Sequence, residues 1–330
     1  MTKNKITVNF GINGAFLTRR WENPENFMKL TAECGYKYHE FCSDALDPFF
    51  SGDKKYQLET AKQIGCFAKK YGVAITDYYT GVATHRFHGL SHSNPVVQKQ
   101  MMQWIVEAMD IALALGTTAI GGHWDAFSVE ILHSQKHKRK AFKNIYTQFK
   151  QLAILAKNKG MSAIYNEQMY IPSEIPWTID EACEFLFEVN RNNNGVPVYL
   201  TVDVGHQAGQ HYGLKGRNIS YIEWLKEFAA VSEIIHLQQT TADASHHWPF
   251  IEKYNKKGHI KIDKILSAIE YSHKNYHKSI LAKHLPPVKK HFLIAEIIPG
   301  STKTEKILLE ELKKTSLYLK RFIPVNGLYI

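Results

Sequence analysis

Cysteine is scarce in this chain. Cys34, Cys42, Cys66 and Cys183 are the only four in 330 residues, and no two stand in a CxxC spacing. That excludes a disulfide-stapled scaffold and a thiolate zinc ribbon, and it predicts buried or half-buried free thiols. Long apolar runs are missing too: none approaches the roughly 20 residues a bilayer span needs. The opening Met-Thr-Lys-Asn-Lys leads straight into a short strand pattern rather than a signal peptide's apolar region, so the expected location is cytoplasmic. The first strand turns through Phe10-Gly11-Ile12-Asn13-Gly14 without a GxGxxG fingerprint, and no Walker A sequence occurs, which argues against dinucleotide and P-loop functions. There is no Gly/Ser linker, repeat array or break in composition.

What remains is an ordinary packed composition, 44% hydrophobic and 22% charged, with a net charge of +10 and 17 histidines. Much of the lysine lies in helical stretches such as Lys136 to Lys143 and Lys303 to Lys320, which reads as solvated helix faces rather than a nucleic-acid surface. Eight short runs rich in β-branched and aromatic residues alternate with helical patterns: Ile6–Gly11, Tyr36–Phe41, Val73–Tyr79, Thr118–Gly122, Ser162–Asn166, Val198–Val202, Ile234–Gln238 and Phe292–Glu296. The clearest helices are Pro95–Leu115, Arg139–Lys159 and Thr304–Arg321. Asn94-Pro95 signals a helix start, Thr178 with Glu181 a capping box, and Gly35, Gly72, Gly116 and Gly160 left-handed helix ends. Strict alternation implies parallel strands with right-handed crossovers. Eight units of about 41 residues match a single α/β domain over 1–330, a parallel eight-stranded (β/α)8 TIM barrel. The polar, aromatic stretch Thr240 to Gly258 forms a long loop, 241–258, after the seventh strand, a length that usually carries function.

In such a barrel chemistry sits where the strands end. Strand five ends in Tyr165-Asn166-Glu167-Gln168, strand six in Val202-Asp203-Val204-Gly205-His206, strand seven in His236-Leu237-Gln238-Gln239 and strand eight in Ala295-Glu296. Glu167, Asp203, Gln238 and Glu296 follow one another at 36, 35 and 58 residues, one βα unit, another, and one unit plus the long loop. Each alone reads as a cap or a loop ion pair. Four at successive strand ends read as one site, since neighbouring strands lie roughly 4.8 Å apart. Three carboxylates and an amide oxygen make a hard site for Mn²⁺ above all, with Mg²⁺ or Co²⁺ as alternatives. His206, and His123 after Gly121-Gly122, are placed to reach the same mouth, where the paired glycines permit close backbone approach to a ligand. Arg86, Lys215 and Arg217 are loop cations that a phosphate could use, though each alone reads as an exposed charge.

At these residues the chain resembles the xylose isomerase-like barrels, a family of sugar and sugar-phosphate isomerases and epimerases that includes the D-tagatose 3-epimerase group. The resemblance implies that Glu167, Asp203, Gln238 and Glu296 are its metal quartet, and that His206 in the Asp-x-x-His pattern contacts substrate. His236-Leu237-Gln238 looks like the hydroxypyruvate isomerase form of the seventh-strand ligand. Tyr165 to Tyr170, Pro176 to Ile179, and His247-Trp248-Pro249-Phe250 look like the erythrulose-phosphate epimerase branch. Tagatose-type enzymes carry an Arg soon after the seventh-strand ligand. Thr240 to Phe250 has none and offers Asp243, His246 and His247, so substrate contacts are expected from Asp243 and His246 as well as His206 and His123.

The activity implied is ketose or ketose-phosphate epimerisation or isomerisation. Glu167 and Glu296 would exchange a proton through a metal-stabilised enediolate. The implied partner is a small sugar or sugar phosphate, with neither nucleic acid nor membrane, and with self-association into a homo-oligomer left open. A metal-dependent polyol dehydratase would begin with the same proton abstraction. An apurinic-site endonuclease would suit the basic charge, but it needs extra His ligands where strand three ends in Asp77-Tyr78-Tyr79-Thr80. A non-catalytic sugar-binding barrel leaves the carboxylates without a purpose.

Overall fold

The computed structural model describes residues 5–81 and 87–330. Eight strands appear at the eight expected runs: β1 Thr7–Asn13, β2 Tyr38–Cys42, β3 Ala74–Tyr79, β4 Ala119–Gly122, β5 Ala163–Glu167, β6 Val198–Asp203, β7 Ile234–Leu237 and β8 Lys290–Ala295. Each pairs in parallel with the next, and β1 pairs with both β8 and β2, which closes the barrel. The fold is a (β/α)8 TIM barrel. One addition was not foreseen: a two-residue strand, β9 (Leu328–Tyr329), lies antiparallel to Thr7 and Val8. It covers the lower part of β1, whose pairing with β2 is confined to Ile12 and Asn13.

Helix boundaries follow local chemistry. The helix Pro95–Leu115 starts where the Asn94 side chain accepts from the Val96 N–H, and stops at Gly116, whose φ of +93° needs no Cβ penalty. The next long helix begins at Gln135, four residues before the expected Arg139, because Ser134 caps it. Thr178 accepts from the Glu181 N–H at 3.1 Å, but the Glu181 carboxylate reaches the N–H of Trp177, so only half of the capping box forms. The paired glycines that end β4 make room for side chains of the neighbouring strand. A Cβ on Gly121 would meet the Tyr79 ring, and one on Gly122 would overlap the Thr80 side chain.

Period-two alternation aims one side of each strand into the barrel. Tyr38 packs on Phe292 and Tyr165 on Tyr199 in the lower layer, while Glu40, Tyr79 and His236 meet in the layer above. The apolar core lies mainly between strands and helices, and the upper barrel interior is polar.

Candidate metal centre and active site

Glu167 and Asp203 are the last residues of β5 and β6, and Glu296 is the first after β8, where its N–H still bonds the Leu237 carbonyl at 2.9 Å. Because these strands are neighbours at one level, the three carboxylates and His236 of β7 each offer an atom within 4.8 Å of all the others. These four buried residues can hold a divalent cation. Glu167 Oε2 is buried without accepting a hydrogen bond, and Glu296 Oε2 has the His247 and His236 Nδ1 atoms at 3.3 and 3.4 Å but no well-directed hydrogen bond. Buried anionic oxygens without well-directed donors are what a cation satisfies, so the residues fit a metal ion.

Gln238, the fourth donor expected from the sequence, stands just beyond β7 in contact with Asp203. Its Nε2 donates to both Asp203 carboxylate oxygens at 3.0 and 3.2 Å, and its Oε1 accepts from the His247 N–H at 2.7 Å. Ser245 Oγ lies 2.9 Å from Nε2 and 3.1 Å from Oε1. His236 lies one layer lower. Its Nε2 is 3.0 Å from Glu40 Oε1, and its Nδ1 is 3.1 Å from Glu167 Oε1 and 3.4 Å from Glu296 Oε2.

Burial and charge pull these groups in opposite directions. Burial disfavours an ionised Glu167, yet the His236 hydrogen bond and the His206 charge hold its pKa at about 2. Glu296, also buried, is kept well below the usual carboxylate range by His236 and His247. Burial wins at Asp203 and Glu40, whose carboxyls are pushed up. Burial also opposes charge on His247, but Glu296 beside it lifts the imidazole to about 9.

A cavity of about 270 Å³ opens above the carboxylates, walled in part by Asn13, Cys42, Glu167, His206, Ser245, His247 and Glu296. Of the predicted substrate contacts, His206 lines it: its Nδ1 bonds the Gln168 carbonyl at 2.9 Å and lies 3.6 Å from Glu167 Oε1. His123 is buried one residue past β4, outside the residues that line the cavity. Asp243 is exposed at the loop tip, and His246 faces outward, stacked flat on Trp248 with centroids 3.9 Å apart. Neither lines the cavity, and His247 does so instead. Arg217 is paired with Glu227 at 2.6 Å, Lys215 is exposed, and Arg86 lies outside the described residues.

Two further residues escaped the reading of the sequence. Glu40 had a visible signal, a charge at the inward phase of the strand Tyr38–Cys42, between Tyr38 and Cys42. Asn13, whose Nδ2 donates to Glu40, looked like a turn residue.

Comparison with known proteins agrees with this architecture. A curated relative, the D-erythrulose 1-phosphate 3-epimerase of Brucella abortus, is 24% identical over 264 residues, covering 80% of this chain and 84% of the relative. Among solved structures, a putative xylose isomerase from Rhodospirillum rubrum superposes with a TM-score of 0.81 at 20% identity, covering 96% of this chain and all of that one. A D-psicose 3-epimerase crystallised in the presence of D-fructose superposes with a TM-score of 0.65 at 14% identity, covering 96% of this chain and 99% of that one. The family model described as xylose isomerase-like TIM barrel matches residues 28–282, and the chain belongs to that family.

Proposed function

We propose that this protein is a divalent-metal-dependent epimerase or isomerase of a ketose or ketose phosphate. The observation that carries the reading is the convergence of Glu167, Asp203 and Glu296 at one barrel mouth, where Glu167 Oε2 is buried without accepting a hydrogen bond. Relatives named as epimerases of ketoses and of a ketose phosphate support the substrate class.

Glu167, Asp203, Gln238 and Glu296 would hold the ion, a hard oxygen donor set that suits Mn²⁺, with Mg²⁺ or Co²⁺ as alternatives. His236 is the poorer fourth ligand. Both its ring nitrogens face carboxylates at 3.0 and 3.1 Å, so both donate and no lone pair is left to give. The Gln238 amide has an oxygen to offer after a half-turn about its last torsion, which exchanges its contacts with Ser245 and gives up the bond from the His247 N–H.

When bound, the ion supplies positive charge beside the substrate's carbonyl and hydroxyl oxygens and so acidifies the carbon between them. Glu167 and Glu296, ionised at neutral pH, stand within 4.8 Å of each other on either side of the Asp203 and Gln238 pair. One removes the proton. The other delivers a proton to the opposite face for epimerisation, or to the adjacent carbon for isomerisation. His206, fixed through its Nδ1 and packed at a tilt against the Tyr170 ring, orients a substrate hydroxyl.

The test is a panel of free and phosphorylated four- to six-carbon ketoses incubated with Mn²⁺ in deuterated water. At least one should take up deuterium next to its carbonyl and yield its epimer or aldose. No uptake across the panel would sink the reading.

A further inference from the structure

The loop after β7 is built to hold one side chain in an uncommon position. Its first half is closed by an antiparallel bridge, Gln239 N–H to the Trp248 carbonyl at 2.8 Å and the reverse at 3.1 Å. The Gln239 amide reaches on to Asn255 and Ile260, and Thr240 Oγ1 accepts from the His246 N–H at 3.1 Å. Within this frame His247 adopts φ +50°, the left-handed region that a non-glycine residue rarely enters. The turn sends neighbouring rings in opposite directions. His246 stacks outward on Trp248, and His247 points into the cavity.

Both nitrogens of the inward ring are engaged by protein. Nδ1 lies 3.3 Å from Glu296 Oε2 and 3.3 Å from the Glu296 carbonyl oxygen, and Nε2 lies 3.2 Å from Ser245 Oγ. The ring therefore acts through Glu296 rather than by reaching substrate. The other imidazole near that carboxylate is His236, 3.4 Å away and one layer lower, so His247 holds Glu296 from the loop side.

We propose that His247 is a positioning residue, its left-handed backbone fixing an imidazole that orients the Glu296 carboxylate for metal ligation and proton transfer. This rests on the metal-centred reading above.

Glycine and asparagine both accept a left-handed φ, so His247→Gly and His247→Asn separate the ring from the backbone. Asparagine also keeps an N–H donor near the Nδ1 position. Mn²⁺ dissociation constants are measured on the metal-stripped full-length proteins, alongside thermal melts. Loss of an outer partner of a metal ligand weakens binding by about tenfold to a hundredfold. His247→Gly should show that loss while still melting as a cooperatively folded protein, and His247→Asn should stay close to wild type. If His247→Gly binds Mn²⁺ as tightly as wild type, or His247→Asn is impaired as much as the glycine variant, the proposal is overturned while the metal reading stands. Failure of the wild type to bind Mn²⁺ overturns both.

Discussion

A single imidazole ties the upper barrel together. His236 spans from Glu40 on β2 to Glu167 on β5, and burial leaves neither partner free to find water. Removing one member of a buried charged pair leaves the other stranded, at a cost of roughly 3–5 kcal/mol. Glu40→Leu should therefore lower the unfolding free energy in urea by about 3 kcal/mol or more, and Glu40→Gln, which keeps an acceptor, by less. A Glu40→Leu protein as stable as wild type would contradict the clamp. Gln238 has a different part. Gln238→Leu should leave a folded barrel that binds Mn²⁺ far more weakly, and unchanged metal content after dialysis would remove it from the ligand set.

At the scale of elements, the strands were legible because their apolar runs are short, bounded by helix-ending glycines and regularly spaced. Thr178, Asn94 and Gly116 announced helix ends for the same local reasons that make them work. The loop after β7 was legible as unusual and polar, but not which of its histidines turns inward. That choice depends on one backbone torsion at His247, which no residue type there demands. The double glycine that ends β4 announced a close approach but not what approaches, and the side chains beside it are Tyr79 and Thr80.

Buried histidines in the surrounding elements carry a pH consequence. His39 bonds Thr31, His291 bonds the Ser232 carbonyl and His273, and burial lowers their pKa values to about 3 for His39 and His291 and about 4 for His273. Below the unfolded value near 6.5 the unfolded chain binds protons that the folded one refuses. Stability should fall as pH drops from about 6.5 toward 4, and His291→Gln should show a shallower fall in urea midpoint than wild type. Parallel curves for the two proteins would contradict this assignment.

For the molecule as a whole, the barrel is a device for bringing residues 36, 35 and 58 apart in sequence to one mouth. That much followed from spacing alone. The layer beneath, where Glu40 and His236 meet from strands 196 residues apart, did not, because closure of β1 on β8 and β2 creates the contact. No helix among the described residues is long and apolar enough to cross a membrane. Part of the positive charge is held in surface pairs such as Arg217–Glu227 and Lys54–Asp110, and among the described residues no Lys or Arg lines the cavity.

The central claim is that Glu167 and Glu296 move the proton, and it is tested most directly by solvent exchange with the responsive ketose and Mn²⁺ in deuterated water. Glu167→Gln and Glu296→Gln should each remain folded yet lose about 10²- to 10⁴-fold in the rate of deuterium uptake at the carbon beside the carbonyl. Near-normal uptake in either variant would contradict the account.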